Sequence, residues 1–222
     1  MTRRGFLPRG RFFHTLEGGE GGGKTTQSSL LAERLRRAGI TVFETREPGG
    51  TPRAEAIRQV LLSGKAKRYG AVGEAVLFYA ARESHLELAI QPALERGDWV
   101  ICDRFSDSTR AYQGAAAGVP YPVLETFEQT VVGATKPDLT LIFDIDPELG
   151  LRRAAARGTQ KDLGPEGDRF ETMNLAFHRS LREEFLAIAK AEPDRCVVID
   201  ASNNTERVAT DVWAAVRAKF KL

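Results

Sequence analysis

The stretch Glu17-Gly18-Gly19-Glu20-Gly21-Gly22-Gly23-Lys24-Thr25-Thr26 has the residue types and spacing to hold a polyphosphate. In Gly18-x-x-x-x-Gly23-Lys24-Thr25, glycines allow positive φ and put no Cβ between backbone N–H groups and an anion. Lys24 adds a point charge for the outer phosphates, and the Thr25 hydroxyl suits a Mg²⁺ ligand. Residues 12–16 read as a strand entering this loop. The helix expected after it turns its N-terminal dipole towards the same anion.

Four further groups could act beside it. Asp103-Arg104 follows the apolar run 99–102. An acid at the end of a buried strand is where a P-loop enzyme organises Mg²⁺, and an arginine there can grip a phosphate with its planar fork. In Arg46-Glu47-Pro48-Gly49-Gly50-Thr51, proline and paired glycines make a rigid turn that leaves Arg46 to meet an anion. Phe78 and Arg82 share a helix face, one to stack on a nucleobase and the other to bond an exocyclic oxygen; simple core packing is the alternative. Ser108 with Tyr112, and Thr109 with Gln113, also fall at i, i+4 and make a polar face, which could equally be a solvated one.

The elements that must position these residues follow from periodicity. Strands are expected at 12–16, 41–45, 99–103, 139–144 and 196–200. Helices are expected at 25–38, 53–62, 72–96, 108–116, 121–132, 147–157, 169–191 and 205–219. Gly39, Gly97 and Gly133 stand where helix C-caps belong. Strand–helix alternation predicts a mostly parallel sheet covered on both faces, an α/β fold of three layers with ligands at the carboxyl ends of the strands. Glu17, Thr45-Arg46-Glu47, Asp103-Arg104 and Asp144 end four of the strands and are expected to converge on one site.

The chain has 222 residues, 28% of them charged and 42% hydrophobic, with a net charge of +2. That fits one domain with a sizeable core and gives no global signal for nucleic acid or an anionic membrane. Cys102 and Cys196 read as buried free thiols in a reducing compartment. No apolar run spans a bilayer. Residues 1–11 are basic, lack the apolar stretch of a secretory signal, and are expected to be a disordered extension before a single domain at 12–222. Residues 158–168, rich in glycine and charge and preceded by Arg152, Arg153 and Arg157, read as a lid or a surface loop.

Together these motifs, with Pro137-Asp138-Leu139-Thr140, Asp168-Arg169-Phe170-Glu171 and Ile199-Asp200-Ala201, resemble the bacterial type of thymidylate kinase. The likeness implies a P-loop fold with a five-stranded parallel sheet and a lid at about 157–169. It implies transfer of the γ-phosphate of ATP to dTMP with Mg²⁺, in a cytoplasmic homodimer. ATP would meet Gly18, Glu20, Gly21, Gly22, Gly23, Lys24, Thr25, Thr26 and Arg153. Lys24, Asp103, Arg104 and Arg157 would be catalytic, with Thr25 and Asp103 at the metal, partly through water. Glu20 would reach the sugar 3′-hydroxyl, Phe78 would stack on thymine and Arg82 would bond its O4. Thr109 and Gln113 would read the base edge, and Tyr112 would pack on the deoxyribose. Arg104 would hold the acceptor phosphate, with Arg46, Pro48 and Ser108 completing the substrate site. Phe105 stands where the family often has Tyr or His, and Ala155 where some relatives have a lid arginine. The alternatives are another nucleotide or nucleoside kinase, or a GTPase switch, because Thr135-Lys136-Pro137-Asp138 matches a guanine-specifying pattern; that motif, however, should follow a strand and here precedes one.

Overall fold

The computed structural model describes residues 10–157 (Arg157 by its backbone alone), 170 and 173–222. The expected lid at 157–169 and most of 1–11 therefore lie outside the described residues, as do Asp168, Arg169 and Glu171. Five parallel strands, β1 (Phe13–Gly18), β2 (Val42–Arg46), β3 (Trp99–Asp103), β4 (Leu139–Asp144) and β5 (Cys196–Asp200), pair in the order β2-β3-β1-β4-β5. The chain leaves β1 towards one edge and later crosses to the other, so the crevice for ligands opens beyond the carboxyl end of β1. The register brings Leu16 of β1 and Arg46 of β2 opposite Asp103 of β3, aligning three strand ends.

Helices cover both faces. α1 (Lys24–Arg37) and α9 (Thr205–Phe220) pack on one face, where Leu31, Leu35, Ile101, Leu141, Val212 and Val216 form a buried core. On the other face, α3 (Gly70–His85) and α6 (Tyr121–Phe127) enclose Tyr79, Val100, Cys102 and Leu124, and α8 (Leu175–Ala191) encloses Leu181, Phe185 and Ile188. α2 (Pro52–Leu62) packs on α3, α5 (Ser106–Thr109) opens the segment after β3, and α7 (Pro147–Arg157) follows β4.

The helix expected over 72–96 is a continuous helical run from Gly70 through a wide π-turn at Leu86–Ile90 into α4 (Gln91–Glu95). Pro92 explains the wide turn: it has no N–H to donate and its ring crowds the preceding turn. α8 begins at Leu175, later than the expected 169, because the Asn174 side chain caps it by accepting from Phe177 N at 2.9 Å. Gly39, Gly97 and Gly133 all have positive φ, as their capping positions require. Both cysteines are buried free thiols. At the chain's described start, Trp99 Nε1 donates to Gly10 O at 2.9 Å.

Candidate active site

The loop after β1 is shaped by backbone contact. Gly18, Gly21 and Gly23 have φ of +132°, +72° and +81°. A Cβ on Gly18 would stand 2.5 Å from Phe143 O of β4. One on Gly21 would collide with Gly150 O, and one on Gly150 with Glu20 O, so the phosphate loop and α7 touch main chain to main chain. Lys24, the first residue of α1, is buried and its Nζ donates to Gly19 O at 2.7 Å. Burial, and then the neighbouring Arg104, lower its pKa to about 8. An arriving polyphosphate would favour the charged form. Thr25 Oγ1 donates to Asp103 Oδ2, which joins the start of α1 to the end of β3.

This loop forms one wall of a cavity of about 590 Å³. Glu20, Gly21, Gly23, Lys24, Thr25, Arg46, Pro48, Phe78, Arg82, Asp103, Arg104, Ser108, Thr109, Tyr112 and Gln113 all line it. Gly18 and Gly22 stand behind the loop against Phe143, and Thr26 is exposed on α1. Arg153 lies elsewhere, donating to the carbonyls of Ala201 and Ser202 at 2.6 Å each, in the loop after β5. The side chain of Arg157 lies outside the described residues.

Within the cavity, Arg104 and Glu20 form the charged centre. Arg104 Nη2 bonds Glu20 Oε1 at 2.7 Å, while Nη1 donates to Gly18 O and Ser108 Oγ. Tyr112 Oη donates to the same Glu20 oxygen at 2.5 Å, and the Arg104 guanidinium lies over the Tyr112 ring. Burial alone would raise the Glu20 pKa, but Arg104 and Lys24 outweigh it and hold the carboxyl at about 2. Arg46 is exposed at the mouth, 3.7 Å from Glu55.

The deep end is built round Arg82, which is 2% exposed although it is an arginine. Its Nε donates to Glu47 Oε2 at 2.8 Å and its Nη2 to Thr109 Oγ1 at 3.0 Å. Glu47 Oε1 meets His85 Nδ1 at 3.1 Å, and His85 Nε2 meets Thr45 Oγ1 at 2.7 Å. The guanidinium packs against the rings of Tyr79 and Phe105. Arg82 Nη1 and Gln113 Oε1 are buried with no hydrogen-bond partner among the described residues. A free donor and a free acceptor, both desolvated, thus belong to residues of the cavity wall, where complementary groups of a ligand could satisfy them. Thr109, Tyr112 and Gln113 are buried, so the helix face they share is not a solvated one.

Some expectations are corrected. Asp144 does not join the cavity. Arg182 of α8 holds it in a two-pronged pair at 2.6 and 3.0 Å, beside a separate small cavity behind the loop. Asp138 anchors the sheet instead of a base: its Oδ2 accepts from Phe13 N at 2.8 Å. That is the end of β1 remote from the phosphate loop, which removes the guanine-motif reading. Sequence reasoning passed over Glu47 and His85 as the supports of Arg82, and Phe170 as a cavity wall against Tyr112. Glu47 and Phe170 stand inside quoted motifs, but only the folded contacts give them a task.

Comparisons with known proteins agree. The family description "Thymidylate kinase" matches residues 16–212. A thymidylate kinase of Rhodopseudomonas palustris is 54% identical over 213 residues, 96% of this chain and 90% of the relative. One of Nitrobacter winogradskyi is 53% identical over 208 residues, 94% of this chain and 88% of the relative. Among solved structures, that of thymidylate kinase from Ehrlichia chaffeensis superposes with a TM-score of 0.74 at 34% identity, over 93% of this chain and 99% of that one.

Proposed function

The chain belongs to the thymidylate kinase family, and on that premise we propose that it transfers the γ-phosphoryl group of ATP to the phosphate of dTMP, giving ADP and dTDP. The observation that carries the choice of acceptor is the buried, unpartnered pair Arg82 Nη1 and Gln113 Oε1. Arginine can only donate, so it asks for a carbonyl; the amide oxygen of Gln113, one helical turn on from the Thr109 that bonds Arg82, asks for an N–H. A thymine edge offers O4 and N3–H in adjacent positions. Cytosine would present an amino group to the guanidinium and leave both donors unmatched, a large loss for buried groups. Phe78 lines the same cavity and supplies a stacking face.

The acceptor phosphate has a second pKa near ~6 and is mostly dianionic at neutral pH. It needs no strong base. The task is to bring two polyanions into line while neutralising them. Lys24 and the loop amides serve the donor phosphates, and Arg104 the acceptor. Arg157, at the end of α7, is the cation proposed for the lid. Glu20, held ionised, accepts from the sugar 3′-hydroxyl, and the Tyr112 ring fills the space beside the sugar. Arg153 of α7, bonded to the loop after β5, is assigned to the nucleotide's far end. Thr25 and Asp103, hard oxygen donors already in contact, fit a Mg²⁺ ion completed by phosphate oxygens and water; such an ion supplies charge neutralisation between the phosphates.

The setting proposed is cytoplasmic, in keeping with two buried free thiols. Among the described residues no helix is long and apolar enough to cross a membrane. A homodimer is proposed through the exposed apolar residues Tyr69, Val72 and Val76 at the start of α3. Sedimentation of a monomer at micromolar concentration would rule it out.

The function is tested with purified protein, magnesium and ATP against dTMP, dUMP, dCMP, dAMP and dGMP. The expected result is dTDP formation, with dCMP and both purine nucleotides turned over at least about a hundredfold less efficiently. Equal use of dCMP would remove the Arg82–Gln113 argument. No diphosphate from any acceptor would remove the kinase reading.

A further inference from the structure

The carboxylate of Glu17 has no part in the chemistry above, yet it sits beneath the phosphate loop, fully buried, near the end of β1. Both of its oxygens are taken by the segment after β3. Oε1 accepts from Phe105 N at 2.7 Å and Oε2 from Ser108 Oγ at 2.6 Å.

Directly before the first of those anchors lies Arg104, whose φ is +69°. Such a backbone crowds Cβ against its own carbonyl, and a non-glycine residue keeps it only where its surroundings impose it. Among the described residues, Lys221 alone of the other non-glycines has positive φ, at the C-cap of α9. For Arg104 the imposing bonds can be named. Its own N–H donates to Leu16 O at 3.0 Å, fixing the chain before the bend, and Glu17 fixes it directly after through Phe105 N. The second arm of the carboxylate reaches the side chain. Ser108 Oγ donates to Glu17 and accepts from Arg104 Nη1 at 3.2 Å. Burial and the like charge of Asp107 push the Glu17 carboxyl above its usual range, while Ser108, Arg104 and the Phe105 amide pull it back. A side chain kept only to fill space would not need a carboxylate there.

We propose that Glu17 is the positioning residue for the acceptor-phosphate cation, holding Arg104 in its left-handed conformation and aiming its guanidinium into the cavity. This rests on the reading of Arg104 as the group that binds the dTMP phosphate.

The test compares dTMP with thymidine, which keeps base and sugar but lacks the phosphate, by calorimetric titration of Glu17→Gln, Glu17→Ala, Arg104→Ala and the Glu17→Ala/Arg104→Ala double variant. Glu17→Gln keeps the shape but removes the charge and turns the acceptor facing Ser108 into a donor, so Ser108 Oγ has to accept from both sides and its hold on the guanidinium weakens. Loss of hydrogen bonds that orient a charged group should weaken dTMP binding by about tenfold in Glu17→Gln and more in Glu17→Ala, with thymidine changed less than about twofold. In the Arg104→Ala background, Glu17→Ala should cost dTMP nothing further. Equal weakening of dTMP and thymidine, additive losses in the double variant, or a Glu17→Gln protein with unaltered preference for dTMP would each overturn the proposal. The Gln variant decides alone if the Ala variant does not fold. An Arg104→Ala protein with normal dTMP affinity would instead overturn the role given to Arg104, a different failure.

Discussion

Arg82 illustrates how much one side chain can be asked to do. A guanidinium with 2% exposure is costly to bury unless its donors are met. Glu47 and Thr109 meet part of the demand, and the unmet Nη1 is the part that the proposed function assigns to the substrate base. A lysine here would keep the charge but lose the planar fork that engages Glu47 and Thr109 and, in the proposed complex, the base. Arg82→Lys should therefore raise the KM for dTMP by about tenfold or more, a loss typical of a hydrogen bond to a charged group, with kcat changed much less. Steady-state kinetics would check it; a fall in kcat with unaltered KM would assign Arg82 to the transition state instead.

At the scale of elements, the contact between the phosphate loop and α7 is the least forgiving. Gly150 lies inside a helix, where glycine is about 1 kcal/mol worse than alanine. It stands there because Glu20 O occupies the space of its Cβ, as Gly150 O occupies that of Gly21. Asp146 caps the same helix by accepting from the N–H groups of Glu148 and Leu149 at 3.0 and 3.1 Å, so α7 is fixed at its start and cannot slide away. Gly150→Ala is expected to destabilise by about 1–3 kcal/mol despite its better helix propensity, because main chain must move. It should also weaken ATP binding, since the displaced strand of backbone is the one that carries Glu20 and Gly21. A urea midpoint equal to or above that of the parent would show that the loop yields without cost.

For the whole molecule, one residue in the core reports on acid stability. His14, fully buried on β1, stacks on Phe220 with ring centroids 4.7 Å apart, and neither ring nitrogen has a partner among the described residues. Burial lowers its pKa from 6.5 to about 3. As pH falls below 6.5 the unfolded chain takes up a proton that the native imidazole refuses until about 3. The native state therefore loses stability across that window, by at most about 1.4 kcal/mol per pH unit from this group. His14→Leu should remove that component, so that the urea midpoint falls less steeply between pH 6 and 4 than in the parent; these bounds are roughly the middle of the window. Identical slopes for the two proteins would show that other groups set the acid limb.

Much of this was legible in the chain. The phosphate loop, the strand ends at Asp103 and Arg46, and the pairs Phe78/Arg82 and Thr109/Gln113 rest on local rules of spacing, turn chemistry and periodicity, and they stand together at one cavity. Local rules stop where a residue's task depends on a partner far along the chain. Asp144 had the same strand-end signature as Asp103, yet Arg182 of α8 claims it. Glu47 looked like a turn residue, until α3 brought Arg82 and His85 to its two oxygens. Glu17 was expected at the active site with the other strand ends, but it lies outside the cavity lining and the segment after β3 takes up both its oxygens. The sequence by itself determined the fold class, the anion site and the kind of ligand, because backbone geometry and residue chemistry act over a few positions. Only the tertiary structure decided which charges are paired off and which are left free, because in a buried, low-dielectric site that depends on what the fold places within about 3 Å of each group.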